Sequence, residues 1–208
     1  MIELYAWNTS NGRKISILLE ELGLTYNYHP INISEGDQFK PDFLKLNPNG
    51  KIPAIVDTEG PDGKPISVFE SGAILIYLAE KTKSDLLPQD WRARTQVMEW
   101  LMFQMGGVGP QLGQALHFYK YAKEKVSYGI DRYMTEAQRL YKVMDTRVAN
   151  KDYFAGDYSL ADISIYPWIV RHNWLDIDWS KYPNLKRWYD RIGAREAVQR
   201  GLSALAVD

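Results

Sequence analysis

The stretch Leu46–Asp57, LNPNGKIPAIVD, and the stretch Phe69–Ile74, FESGAI, decide how this chain folds. The first runs from a loop with two prolines into a short apolar strand, and the second opens a helix. Pro53 stands where the strand should begin, and because proline donates no ladder hydrogen bond it fits a tight turn better. The turn is compatible with a cis bond between Ile52 and Pro53, but local sequence does not decide this, since cis is the minority state.

The same two stretches predict a site for a small acidic peptide. With a cis bond, the backbone of Ile52 would turn outward and could pair with an extended peptide. Glu70 and Ser71 would lie at a helix N-terminus, where backbone N–H groups attract a carboxylate.

Composition limits the classes of function. The 208 residues carry a net charge of −1, from 25 basic and 26 acidic side chains, which argues against general nucleic-acid binding. There is no apolar run of about 18 residues, as a membrane span needs, and no basic-then-apolar secretion signal, so we expect a cytoplasmic protein without a membrane partner. Cysteine is absent, which excludes disulfides and a cysteine nucleophile within this chain. The three histidines, His29, His117 and His172, are too scattered to form a metal site.

Residues 1–81 follow a β-α-β-(α)-β-β-α pattern. Alternating apolar residues predict strands at 1–7, 26–33, 52–56 and 66–68, and helical spacing predicts helices from Arg13 to Leu22 and over 71–81. The sequence EGPDG at 59–63 predicts a hairpin between the last two strands, and the first two can pair in parallel by a right-handed crossover. This is the layout of the thioredoxin fold, so the expected first domain is an α/β thioredoxin-like domain.

Strand patterns end after this domain. Residues 82–90 are polar and predict a linker, and residues 91–208 predict an all-α helical bundle. A long helix begins at Trp91, and the sequence GGVGP at 106–110 should kink it or let another group approach closely. Further helices are predicted at 128–149, at 160–173 and from Pro183.

The segment YSLAD at 158–162 precedes a helix that is apolar on every side and is therefore buried. Ser159 is predicted to cap this helix, and Asp162 can return a hydrogen bond to the cap, as in a capping box. Asp162 is therefore interpreted as structural and not as catalytic.

Three segments together resemble the cytosolic glutathione transferases over nearly the whole chain. They are NGKIPAI at 49–55, ESGAI at 70–74 and YSLADI at 158–163. A closer similarity, to the bacterial Nu class and the globular domain of the yeast nitrogen-regulation prion protein, rests on TSNG at 9–12, GDQF at 36–39, FESGAILIYLAEK at 69–81 and GGVGPQLGQ at 106–114. This resemblance implies the glutathione transferase fold, glutathione as co-substrate, a homodimer, and reduction of small disulfides with weak conjugating activity.

Thr9, Ser10 and Asn11 are the predicted catalytic residues. A thiol of ordinary pKa is mostly protonated at pH 7, and lowering its pKa by two units takes about 2.7 kcal/mol of preferential thiolate stabilisation. Thr9 or Ser10 can donate a hydroxyl hydrogen bond and Asn11 an amide hydrogen bond, and the helix dipole adds to both. The local alternative is that residues 8–11 only cap a helix. Ser10 stands where relatives often have proline, which leaves the choice of hydroxyl open.

The resemblance also implies a set of glutathione-binding residues, which are Asn11, Gln38, Lys51, Ile52, Pro53, Glu70, Ser71 and Arg132, the last acting from the neighbouring subunit. Glu70 suits the α-ammonium of the ligand and Ser71 its α-carboxylate, while Lys51 suits the glycyl carboxylate. Taken alone, Glu70 could simply favour the helix dipole, and Lys51 and Arg132 could be solvated surface side chains. Gly50, where relatives often have asparagine, is a second departure from the family pattern.

Several animal classes place an activating tyrosine directly after the first strand. Trp7 and Asn8 stand there in this chain, so a tyrosine mechanism is disfavoured. Tyr5 lies inside the predicted strand and is interpreted as structural.

Three functions stay open from the sequence. The first is a glutathione-dependent disulfide reductase, which must take both thiols from two glutathiones, or from glutathione disulfide, because the chain has no cysteine. The second is a transferase or peroxidase acting on apolar electrophiles or hydroperoxides. The third is a non-catalytic glutathione-binding regulatory module, against which the intact Asn11, Gln38, Ile52–Pro53 and Glu70–Ser71 speak.

Overall fold

Four strands and three helices form most of the first of two units in the structure, a computed structural model that describes residues 1–206. The elements are β1 (Ile2–Ala6), α1 (Ser10–Leu22), β2 (Tyr26–Pro30), α2 (Pro41–Leu46), β3 (Ala54–Asp57), β4 (Ile66–Phe69) and α3 (Ser71–Thr82). This unit contains Met1–Ser84 and the C-terminal segment from Arg195.

The sheet has the strand order β2-β1-β3-β4. β1 pairs with β2 in parallel and with β3 antiparallel, and β3 and β4 form the predicted antiparallel pair. The alternation in β1 buries Ile2, Leu4 and Ala6, each at most 2% exposed. The predicted thioredoxin-like layout is confirmed.

The last helix, α9 (Glu196–Ser203), packs on α1 and belongs to the first unit. A Cβ on Gly201 would lie 2.5 Å from the Cα of Ile17, so only glycine allows this approach. Arg195 forms a two-pronged ion pair with Glu21, with N–O distances of 2.7 and 2.8 Å. These contacts place α9 against α1. The domain division expected from the sequence, with residues 1–81, a linker at 82–90 and residues 91–208, stays a prediction.

The second unit, Asp85–Ala194, is helical. Its helices are α4 (Trp91–Phe103), α5 (Gly109–Leu116), α6 (Ser127–Arg147), α7 (Leu160–Ile169) and α8 (Pro183–Gly193). The predicted interruption near 106–110 is a π-helical turn, Gln104–Val108, through which the helix continues into α5, and a second π-helical turn, His117–Tyr121, follows α5. Within residues 1–206, no helix combines the length and the apolar character that crossing a membrane requires.

The predicted capping box of α7 is confirmed. The fully buried Asp162 carboxylate accepts hydrogen bonds from the backbone N–H of Ser159 (3.1 Å), the backbone N–H of Phe154 (3.1 Å) and the indole of Trp188 (2.8 Å). Burial raises the pKa of Asp162 to about 6, although these hydrogen bonds oppose the shift. Asp162 therefore ties α7 to α8 and to the preceding loop, which is the structural role expected from the sequence.

Candidate functional site

Thr9 caps the N-terminus of α1, directly after β1. Its hydroxyl oxygen accepts a hydrogen bond from the backbone N–H of Gly12 at 3.2 Å. A Cβ on Gly12 would lie 2.3 Å from the carbonyl oxygen of Trp7, so glycine is required for this tight strand-to-helix turn. Because the hydroxyl of Thr9 accepts in this cap, its proton is turned to other acceptors, of which a thiolate is one.

Ser10 and Asn11 occupy the first two positions of α1. Ser10 is only 4% exposed, whereas Thr9 and Asn11 are half-buried. Next to them, the Arg13 guanidinium donates to the side-chain oxygen of Asn8 at 2.8 Å, which fixes the start of the turn. Of the two hydroxyls that the sequence left open, the geometry favours Thr9, since Ser10 is covered by protein.

The loop before β3 is organised by Asn47, which is 2% exposed. Its side-chain amide donates to the carbonyl oxygen of Lys51 at 2.5 Å, and its side-chain oxygen accepts from the backbone N–H of Asn49 at 2.9 Å. The bond between Ile52 and Pro53 is cis. Lys51 is exposed and Ile52 half-buried, so Asn47 holds in place the backbone on which the predicted ligand contacts lie.

Gln38 lies on a short 3₁₀ turn, Asp37–Phe39, beside this loop. At Gly50, whose φ is +62°, a Cβ would come within 3.2 Å of the Phe39 ring and 3.5 Å of the Gln38 carbonyl, so the turn and the loop touch. Within residues 1–206, the side-chain oxygen of Gln38 is buried and has no hydrogen-bond partner. A buried acceptor without a protein partner is uncommon in folded proteins, and either an ordered water or a ligand N–H would satisfy it.

Glu70 enters α3 with a backbone that side chains rarely adopt, at φ +69° and ψ 114°. Strained residues of this kind cluster at functional sites. Glu70 is exposed, and the next residue, Ser71, is 4% exposed at the first position of α3. The helix start thus offers a carboxylate and, one residue on, a hydroxyl and backbone N–H groups, which suits the two charges of an α-amino acid.

Lys14 joins α1 to α3 beneath this helix start. It is 1% exposed, and its ammonium donates to the hydroxyl oxygen of Ser71 at 3.2 Å. Burial lowers the pKa of Lys14 to about 7, and the charge of Glu70 opposes that shift. Neither Lys14 nor Asn47 was predicted from the sequence. The available signals were a lysine four residues before Leu18 on the buried face of α1, and an asparagine opening the turn sequence NPNG.

Arg132 and His117 lie in the second unit. Arg132 is exposed on α6, and His117 is exposed on the second π-helical turn, with its ring 5.3 Å from that of Phe118. The role of Arg132 towards glutathione stays a prediction.

A separate cavity of about 370 Å³ in the first unit is lined by Tyr5, Asp37, Lys40 and Phe43, among others. Tyr5 also stacks on His29, with ring centroids 4.6 Å apart. None of the predicted site residues lines this cavity. These contacts agree with a structural role for Tyr5. Within residues 1–206, no group of three or more histidine or acidic side chains is arranged to hold a metal ion.

Comparison with known proteins defines the class. Residues 10–81 match the family "Glutathione S-transferase, N-terminal domain", and residues 111–196 match "Glutathione S-transferase, C-terminal domain". The chain belongs to the glutathione S-transferase family, as its fold and the resemblance in its sequence predicted.

Individual relatives show which members of the family this chain is similar to. The disulfide-bond oxidoreductase YfcG of Escherichia coli is 46% identical over 97% of this chain and 94% of its own length. A glutathione transferase of Burkholderia graminis, solved with two glutathione molecules per subunit, is 44% identical with a TM-score of 0.91, covering 98% of this chain and 88% of its own. One from Pseudomonas putida, solved with one glutathione disulfide per subunit, is 41% identical with a TM-score of 0.92, covering 99% and 92%.

Proposed function

We propose that this protein is a glutathione-dependent disulfide reductase in which both reacting thiols belong to glutathione. The observation that carries the proposal is the absence of cysteine from a chain 46% identical to a disulfide-bond oxidoreductase. A thiol is still needed to open a disulfide, and the chain cannot supply it. Relatives solved with two glutathiones, or with glutathione disulfide, support a site large enough for both molecules.

The reaction balances with two glutathiones for each disulfide. The thiolate of the first glutathione attacks one sulfur of the substrate, forms a mixed disulfide and expels one substrate thiolate. The thiolate of the second glutathione attacks the glutathione sulfur of that mixed disulfide, so that the second substrate thiolate leaves and glutathione disulfide forms. The two glutathiones supply the two electrons, and each departing thiolate takes up a proton.

Thr9 is the proposed thiolate-stabilising residue, assisted by Asn11 and the N-terminus of α1. A hydrogen bond to a charged group contributes about 1.5 to 3 kcal/mol, which matches the ~2.7 kcal/mol needed to lower a thiol pKa by two units. The Thr9 hydroxyl, already oriented by the N–H of Gly12, supports this assignment. Ser10 is assigned a packing role because it is buried.

The remaining proposed contacts hold the glutathione backbone. Glu70 receives the α-ammonium and Ser71 the α-carboxylate, and the cysteinyl backbone pairs with Ile52 at the Ile52–Pro53 turn. The buried oxygen of Gln38 supports a contact with a ligand N–H. Lys51 faces the glycyl carboxylate.

The proposed assembly is a homodimer in the cytoplasm. In it, Arg132 of one subunit would reach glutathione bound to the other. The exposed position of Arg132 on α6 leaves its guanidinium accessible for such a contact.

A paired assay on one preparation tests the function. With glutathione and glutathione reductase present, we expect rapid reduction of 2-hydroxyethyl disulfide and little conjugation of 1-chloro-2,4-dinitrobenzene. If conjugation is the dominant activity, the protein is a conjugating transferase and not a disulfide reductase. Tight glutathione binding without either activity would favour a regulatory module.

A further inference from the structure

Lys14 is an unusual side chain for its position. Lysine is almost never fully buried, because removing an ammonium from water is costly. Here the side chain is 1% exposed in a helix whose residues from Ile15 to Leu19 are buried as well. A methionine of similar length would fill the same space without this cost, so the charge calls for a functional reason.

The location of the ammonium indicates that reason. It lies 3.2 Å from the hydroxyl oxygen of Ser71, which occupies the first position of α3. In its charged form Lys14 only donates, so the Ser71 oxygen is then the acceptor in this contact, and the Ser71 proton is turned away from Lys14. The helix dipole of α3 and the ammonium then favour an anion at the same point.

We propose that Lys14 is a positioning residue that makes the start of α3 selective for the α-carboxylate of the ligand's γ-glutamyl group, acting through Ser71. This inference rests on the proposed function, since it takes glutathione as the ligand. Glu70 and the pair Lys14–Ser71 would then each bind one of the two charged groups of the γ-glutamyl zwitterion. The exposed carboxylate of Glu70 takes the ammonium, and the hydroxyl backed by a buried cation takes the carboxylate.

Low polarity makes the contribution of Lys14 larger than that of a surface lysine. An exposed ion pair contributes little because water screens it, whereas a charge in a buried setting interacts strongly with a nearby ion. A carboxylate bound over Ser71 would in turn favour the charged form of Lys14.

The test compares two ligands and several variants by isothermal titration calorimetry. The ligands are glutathione and 4-aminobutyryl-cysteinyl-glycine, which is glutathione without its α-carboxylate. We expect Lys14→Met to weaken glutathione binding about tenfold or more, as the loss of a charge-assisted interaction does. The same variant should change the affinity for the analogue less than about twofold, which is well under the 1.4 kcal/mol of a tenfold effect.

Controls separate positioning from packing. Lys151→Met, at an exposed lysine of the second unit, should bind both ligands like the parent protein. Lys14→Met should unfold at the same or a higher urea concentration, because it removes a buried charge. Ser71→Ala should show the same pattern as Lys14→Met, with weaker binding of glutathione and little change in binding of the analogue. It serves as the second variant if Lys14→Met folds poorly.

Two results would overturn the role of Lys14. One is an equal loss of affinity of Lys14→Met for both ligands, which indicates a packing defect. The other is an unchanged affinity of Lys14→Met for glutathione. If the parent protein binds neither ligand, the proposed function itself fails, and the Lys14 subsite with it.

Discussion

At the scale of single residues, the proposed chemistry depends on one oxygen atom with two tasks. The hydroxyl of Thr9 caps α1 by accepting from Gly12, and the same group has a proton to donate to a thiolate. Capping holds the oxygen in place and leaves its proton available to the ligand. The arrangement is therefore organised in advance and does not need a base.

Substitution of Thr9 tests both tasks, because the reaction rate reports on the thiolate and the stability reports on the cap. Thr9→Ala removes both, so we expect the rate of disulfide reduction to fall about 10- to 100-fold, as loss of a 1.5 to 3 kcal/mol charged hydrogen bond implies. Stability should fall by about 1 kcal/mol from the lost cap. Glutathione affinity should change little, because the backbone contacts of the ligand are elsewhere.

Thr9→Ser is the matched control, since it keeps a hydroxyl in the same place. Its rate should stay within a few-fold of the parent protein. Steady-state rates at saturating glutathione, together with calorimetric affinities, provide the measurement. A Thr9→Ala protein as fast as Thr9→Ser would rule out the hydroxyl as thiolate stabiliser.

At the scale of elements, the helix N-termini show which features of the structure can be predicted from the sequence. The sequence predicted the cap at Ser159 and the return bond from Asp162, because a capping box is a local pattern within four residues. Lys14 escaped prediction because its burial depends on α3, whose Ser71 is 57 positions away. The glycines at 106–110 predicted an interruption but not its π-helical form, and the second π-helical turn at 117–121 was not predicted.

The start of α7 provides a test of the structural role of Asp162. Asp162→Ala would leave the N–H groups of Phe154, Ser159 and Trp188 without their acceptor, so we expect a loss of about 3 to 5 kcal/mol in unfolding free energy. Asp157→Ala, at an exposed carboxylate in the same loop, should cost less than about 0.5 kcal/mol. Urea unfolding at pH 7 compares the two, and equal stability of both variants would contradict the role.

The raised pKa of Asp162 also predicts how its contribution to stability changes with pH. Its pKa is about 6 in the folded protein against a model-compound value of 3.8, so the folded state holds this proton where the unfolded state releases it. The contribution of this carboxyl to stability is therefore fully present below 3.8 and declines as the pH rises to about 6. Asp162→Ala should lack this component of the pH dependence.

At the scale of the whole molecule, composition and motif order were sufficient for the fold class. Strand alternation predicted the sheet, and three separated motifs predicted the family to which the chain belongs. The packing of α9 on α1 was not predicted, because it depends on the contact of Gly201 with Ile17, far apart in the sequence. The cis state of Ile52–Pro53 likewise depends on long-range context.

The most direct test of the central claim is the stoichiometry of turnover, with both small thiols and the protein followed by mass spectrometry. The account predicts one glutathione disulfide and two 2-mercaptoethanol molecules for each 2-hydroxyethyl disulfide consumed. It also predicts that the protein mass stays that of the unmodified chain, and that prior treatment with iodoacetamide does not change the rate, because the chain has no cysteine. Loss of activity after alkylation and removal of the reagent, or product formation without glutathione disulfide, would contradict it.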